Sequence, residues 1–223
     1  KVLARMGIAS RREAETMIVS GRIRVNGVVA HLGDRVTAED RLSLDTRPLQ
    51  PVTETDRVRI VVYNKPEGEV CTRSDPEGRP TVFDRLPVLK RGRWVVVGRL
   101  DLNTTGLLIF TTDGELANRL MHPSSRIDRE YVVRVRGDID DDVIRRLREG
   151  VLLEDGMAHF SDIREARSSG THRWFHVVLM EGRNREVRRL WESQGVMVSR
   201  LKRVRYGYIF LPARLRLGTW EYV

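Results

Sequence analysis

Cysteine is almost absent. Cys71 is the only one in 223 residues, so no intramolecular disulfide can staple the fold, which fits a reducing compartment. No apolar run approaches the roughly 20 residues needed to span a bilayer, and no charged-then-apolar leader precedes the first expected helix. A soluble, cytoplasmic protein without membrane attachment is the expectation. The five histidines are scattered without His-X-X-X-His spacing, so no metal is expected. A Walker-type phosphate loop and the Gly-X-Gly-X-X-Gly fingerprint are also missing, which leaves nucleotide hydrolysis and dinucleotide chemistry without an anchor.

Cationic charge is plentiful. Lysine and arginine total 40 against 31 acids, a formal charge of +9, which favours a polyanionic partner, nucleic acid before an anionic membrane surface. The length accommodates one full core, or a core plus a small accessory module. Residues 1–50 read as that module. Val2, Leu3 and Met6 repeat at helical spacing and Gly7 interrupts. Ser10-Arg11-Arg12-Glu13 then has the capping-box form of a second helix, with Ala14, Met17 and Ile18 as its apolar stripe and Gly21 as its C-terminal cap. Ile23 and Val25 alternate with Arg22 and Arg24, and Asn26-Gly27 supplies a positive-φ turn before Val28 and Val29, which predicts a hairpin with its arginines on one face. Around residues 47–56 the pattern dissolves into Pro48, Pro51 and Thr-rich polar sequence, predicting a linker at residues 51–57.

The second domain, residues 58–223, mixes both kinds of element. β-branched and aromatic content predicts strands over residues 58–63, 94–97, 107–111, 131–135, 174–180 and 196–205, and helical periodicity predicts helices over 115–121, 140–149 and 185–193. Strands and helices do not alternate regularly. The expected class is α+β: a small helical-plus-hairpin domain, then a mixed, largely antiparallel β-sheet with flanking helices.

Two basic regions and one loop invite function. Arg11, Arg12, Arg22 and Arg24 fit either convergence on phosphates, aided by helix N-terminal amides, or a solvated basic face. Taken in order, the helix, the Ser-Arg-Arg-Glu helix and the Arg-Ile-Arg-Val-Asn-Gly hairpin resemble the RNA-binding module first known from ribosomal small-subunit protein four, which implies RNA binding but no chemistry. On the helix near residue 188, ideal geometry gathers Val187, Leu190 and Trp191 on one face. Arg188 falls at its edge, and Arg185 and Arg189 point away towards solvent or phosphate. Gly98-Arg99-Leu100-Asp101, followed by Thr105-Gly106-Leu107-Leu108, joins two strands through a polar loop, a common seat of function and equally ordinary turn chemistry.

That loop resembles the catalytic motif of one family of ribosomal RNA pseudouridine synthases, which unites the small-subunit enzyme with types B, E and F of the large-subunit enzymes. Lys65-Pro66-Glu67-Gly68, Arg129-Glu130-Tyr131 and Glu181-Gly182-Arg183-Asn184-Arg185-Glu186-Val187-Arg188-Arg189 follow in the family's order. Residues 75–84 and 111–123 look most like the type B branch. One departure is Arg185-Glu186-Val187-Arg188, where many relatives have His-Gln-Val-Lys or His-Gln-Ile-Arg.

The resemblance implies isomerisation of a uridine in large-subunit ribosomal RNA to pseudouridine by a monomer, with no cofactor. By likeness, Asp101 is the catalytic carboxylate, Arg99 fills the space of the extruded base, and Tyr131 stacks on the base and is a candidate proton acceptor. Arg188 pairs with Asp101, and Leu201 walls the pocket. Arg185 and Arg189, with Arg11, Arg12, Arg22 and Arg24, are expected to contact RNA. Competing readings are a non-catalytic RNA-binding ribosome assembly factor and a synthase acting on small-subunit ribosomal RNA or tRNA.

Overall fold

The structure is a computed structural model and describes residues 1–50, 58–166 and 172–223; the expected linker at residues 51–57 lies outside them. The chain divides into two compact units. One comprises Lys1–Arg59 with Pro87–Val95 and Thr112–Gly114, the other Ile60–Leu86, Val96–Thr111 and Glu115–Val223.

The first unit opens with α1 (Val2–Arg5) and α2 (Arg11–Val19). The capping box forms as expected: Ser10 Oγ accepts from the Glu13 N–H at 3.2 Å, and Glu13 Oε2 accepts from the Ser10 N–H at 2.7 Å, so two otherwise orphaned donors are satisfied. Gly21 at φ +71° ends the helix. Strands β1 (Ile23–Val25) and β2 (Val28–Val29) form the hairpin, with Asn26 and Gly27 at φ 52° and 85°. Strands β3 (Leu42–Leu44) and β4 (Arg47–Leu49) complete a sheet ordered β2-β1-β3-β4. Strand β4 lies where the sequence pattern dissolves, and Pro48 is accommodated because β4 is an edge strand. Leu3, Ala9, Ala14, Ile23 and Ala30 form the core.

The second unit is built on β5 (Ile60–Lys65), β6 (Val95–Val97), β7 (Thr105–Thr111), β8 (Arg129–Arg136), β11 (Asp162–Glu165), β12 (Arg173–Leu179), β13 (Met197–Tyr206), β14 (Ile209–Phe210) and β15 (Trp220–Tyr222). They form one sheet along the path β11-β12-β8-β13-β7-β5-β15, with β6 and β14 attached to β7 and β13. Along that path β13 and β7 pair in parallel and the rest antiparallel, matching the mixed, largely antiparallel sheet expected. Helices α3 (Gly114–Met121), α4 (Asp141–Glu149) and α5 (Glu186–Glu192) flank it, and β9 (Val151–Leu153) pairs with β10 (Gly156–Ala158) as a separate hairpin.

Strands β5 and β7 read as continuous apolar runs because both faces are covered: Val61 to Tyr63 and Leu107 to Phe110 are all buried. Helix α5 has the expected phase. Val187, Leu190 and Trp191 are buried, with the Trp191 ring 5.0 Å from Phe175 and 6.1 Å from Phe160. Its first turn differs from expectation: Arg185 is not helical but left-handed, at φ 49°.

Candidate active site

The buried run of β5 ends at a charge. Lys65 is fully buried, and its ammonium reaches the carbonyls of Pro66 (2.9 Å), Thr104 (3.0 Å), Asp101 (3.1 Å) and Leu102 (3.3 Å). Three N–H donors serve four carbonyls, so one is shared and the longest is the weakest. Burial pushes the Lys65 amine below its ordinary range, while neighbouring Cys71, Glu69 and Asp101 act in the opposite direction.

The loop between β6 and β7 is thus fixed from beneath. The Gly68 N–H donates to the Leu102 carbonyl at 3.0 Å, the Thr104 N–H to the Asp101 carbonyl at 3.0 Å, and the Leu100 N–H contacts Cys71 Sγ at 3.4 Å. Burial raises the Cys71 thiol. Arg188, on the inward edge of α5, donates from Nη2 to the Asn103 carbonyl at 3.0 Å and from Nη1 to the Val198 carbonyl at 3.1 Å. Carbonyls of residues 101–104 therefore all face Lys65 or Arg188. At the loop's exit Gly106 has φ +102°, and a methyl there would overlap the Arg203 backbone, so parallel pairing with β13 requires glycine.

The loop turns the half-buried Asp101 towards a cleft of about 410 Å³. Arg99, Tyr131 and Leu201 line the same cleft, and so does Arg185, which the helical phase had turned away towards solvent or phosphate. Tyr131 and Leu201 are buried walls, whereas Arg99 and Arg185 are exposed. Two expectations need correction. Arg188 forms no ion pair with Asp101 among the described residues: Nη1 and Nη2 donate to backbone carbonyls, Nε is buried without a hydrogen-bond partner, and Asp101 acts on the guanidinium as a nearby opposite charge. Arg189 points outward as expected but is not free for phosphate. Its Nη1 and Nη2 donate to Asp155 at 2.8 and 2.9 Å and its Nε to the Asn184 carbonyl at 2.8 Å, which pins the β9–β10 hairpin.

In the first unit Arg22 is also committed, donating to Asp45 at 3.0 and 2.8 Å, while Arg24 donates to the Gly27 carbonyl at 3.0 Å. Arg11, Arg12 and Arg24 remain exposed at the helix start and hairpin.

Three buried charged residues of the cleft were given no role from sequence. Arg203 is buried and donates from Nε to the Leu107 carbonyl at 2.8 Å. Arg129 is buried over the Tyr206 ring at 5.0 Å. Glu186 is buried on α5, with Oε2 accepting from the Arg183 N–H at 2.9 Å and Oε1 3.9 Å from Arg183 Nε but without a hydrogen bond; desolvation pushes its carboxyl up to about 7. The Leu201-X-Arg203 spacing was the available signal, since strand residues two apart share a face. Arg99, Arg129, Arg183, Arg185 and Arg203 against Asp101 and Glu186 make the cleft cationic around the half-buried Asp101 carboxylate. No His, Cys, Asp or Glu cluster able to hold a metal occurs among the described residues, and no helix there is long and apolar enough to cross a membrane.

Comparison with known proteins adds to this geometry. The family model described as RNA pseudouridylate synthase matches residues 59–193, and the S4 domain model matches residues 1–42. Ribosomal large subunit pseudouridine synthase B of Pseudomonas aeruginosa is 61% identical over 223 residues, covering 99% of this chain and 58% of its own. The protein of the same name from Yersinia pestis is 60% identical, covering 99% and 70%. The chain thus spans rather more than half the length of such relatives. A solved pseudouridylate synthase shares the fold at a TM-score of 0.68 and 23% identity, covering 99% of this chain and 93% of that one.

Proposed function

This chain belongs to the RNA pseudouridylate synthase family, and on that premise we propose that it isomerises a uridine of large-subunit ribosomal RNA to pseudouridine. The observation that carries the reading is Asp101, a lone acid on a loop held by Lys65 and Arg188, facing a cationic cleft with an apolar floor.

The reaction breaks the bond from the ribose anomeric carbon to uracil N1, turns the base, and joins the same carbon to C5; C5 loses a proton and N1 gains one. A target in a helix must first leave the stack, which costs least where it is unpaired. Arg99, exposed at the cleft, takes the vacated position. Tyr131 and Leu201 hold the base between apolar surfaces and exclude the water that would otherwise leave an abasic site. Asp101 acts on the sugar by adding to the anomeric carbon or by assisting elimination; either route uses one carboxylate. No net oxidation occurs, so the chemistry asks for no redox cofactor. Residues 1–50 supply the RNA-binding elements of the first unit, with Arg11, Arg12 and Arg24 as its phosphate contacts, and the enzyme acts as a cytoplasmic monomer.

The test is conversion of large-subunit ribosomal RNA by pure protein. Asp101→Asn and Asp101→Ala should abolish pseudouridine formation while RNA affinity stays within a few-fold, because the carboxylate makes no favourable phosphate contact. Turnover by a pure Asp101→Ala preparation would reject the assignment. RNA binding by the unmodified chain without conversion would favour an assembly factor instead.

A further inference from the structure

Strands β13 and β14 are joined by a two-residue turn, Gly207-Tyr208, which pairs Arg205 with Phe210 and Tyr206 with Ile209. Gly207 sits at φ +57°, the positive-φ first position that suits a tight hairpin. The turn is anchored: the Gly207 N–H donates to the Asp128 carbonyl at 2.8 Å, and Arg205 Nη1 reaches the Gly207 carbonyl at 3.2 Å. Yet the hairpin buries neither of its outer rings. Tyr208 is fully exposed and Phe210 is 65% exposed. Tyr208 is in the turn and Phe210 in the following strand, and the Arg205 guanidinium, held by Glu130 and Asp128, lies 5.9 Å from the Phe210 ring centre.

The surroundings indicate a ligand for these rings. Gly207 packs on Ile127, directly after the exposed Arg126, and the Tyr206 hydroxyl donates at 2.8 Å to the carbonyl of Leu120, the α3 residue after the exposed Arg119. The hairpin is also continuous with the cleft. Tyr206, inside the turn, stacks beneath Arg129 at 5.0 Å and Arg203 at 5.2 Å, and both arginines line the cleft. Exposed aromatic faces beside cations suit a nucleotide, because any base can stack on a ring while its phosphate meets a guanidinium.

We propose that Tyr208 and Phe210 are a stacking platform for an unpaired nucleotide flanking the uridine that enters the cleft. The proposal rests on the reading of the cleft as an RNA site. Its consequence is that part of the affinity is insensitive to salt and specific to RNA with unpaired bases.

The experiment measures binding of the full chain, at several salt concentrations, to a large-subunit ribosomal RNA transcript containing 4-thiouridine and to a fully paired RNA duplex. Tyr208→Ala/Phe210→Ala should bind the transcript about tenfold more weakly, the order of one lost base–aromatic stack, with an unchanged salt slope. Tyr208→Phe should retain affinity, and duplex binding should not change. Irradiation should crosslink the transcript to the peptide containing Tyr208 in the unmodified chain. Unchanged transcript affinity in the double variant, or an equal loss on the duplex, overturns the proposal. So does intact RNA binding with lost attachment to ribosomal particles, which would assign the rings to a protein. If the unmodified chain converts uridine while the double variant binds normally, this proposal alone fails; if the unmodified chain neither binds nor converts the transcript, the reading of the cleft fails with it.

Discussion

Arg188 and Arg189 are neighbours in sequence with opposite tasks. Removing Arg188 withdraws its donors from the carbonyls of Asn103 and Val198, at about 1–3 kcal/mol where a buried group is left unsatisfied, and slackens the loop that carries Asp101. Arg188→Ala should therefore lower the single-turnover rate by at least about tenfold, with RNA affinity within a few-fold. Arg189→Ala should instead remove the α5 anchor on Asp155, the turn residue of the β9–β10 hairpin whose carboxyl the guanidinium holds down at about 2; Arg183 still donates to Asp155, Gly156 and Met157, so rate and salt slope should stay unchanged. A reduced salt slope for Arg189→Ala would mean that it meets phosphate after all. Glu186 supplies a pH test. Its raised carboxyl, about 7 against an ordinary 4.5, favours the protonated folded state. That contribution is complete below about 4.5 and is lost as pH rises through about 7. Denaturant titrations from pH 4.5 to 7.5 should show a falling stability component that Glu186→Gln lacks; equal slopes for both proteins would place the titration elsewhere.

At the scale of elements, the parallel contact of β7 with β13 depends on a missing side chain. Gly106→Ala would drive a methyl into the Arg203 backbone at a positive φ, so a destabilisation of at least about 2 kcal/mol is expected in thermal or denaturant melts. A melt within error of the parent would show that β13 can shift. Which elements the sequence revealed follows from their physics. Helix α5 was legible because Val187, Leu190 and Trp191 bury one face, and the α2 cap because Ser10 and Glu13 satisfy each other locally. The hairpin β9–β10 was not, since its three-residue strands leave Leu152 and Met157 exposed and carry no alternation. Asp101, Arg99, Tyr131 and Leu201 were placed by resemblance, and they do meet in one cleft. The partners of Lys65 and Arg188 were illegible because a buried cation matched to backbone carbonyls 36 to 39 or 85 residues away leaves no pattern in side-chain types.

For the molecule as a whole, the units do not divide the sequence at one point. Pro87–Val95 belongs with the N-terminal unit, where Arg91 donates to Gln50 at 2.7 Å and Gly92 lies so close to Gly7 that a methyl on Gly7 would sit 2.6 Å from it. Deleting residues 1–50 should reduce RNA affinity and its salt slope, since Arg11, Arg12 and Arg24 go with them. It should also take from residues 87–95 their contacts with Gly7 and Gln50, so trypsin should cut after Lys90, Arg91 and Arg93 faster than in the intact chain; unchanged cleavage would show that this segment holds itself. The same interleaving governs birth on the ribosome. Thr112–Gly114 is the last segment of the N-terminal unit to be made, after residues 60–86 have been committed to the other. At about 5–20 residues per second, roughly 3–11 s separate the emergence of residue 59 from that of residue 114. Throughout that interval the nascent N-terminal unit lacks at least Thr112–Gly114, and its completion has to wait for the strands β5 to β7 of its neighbour.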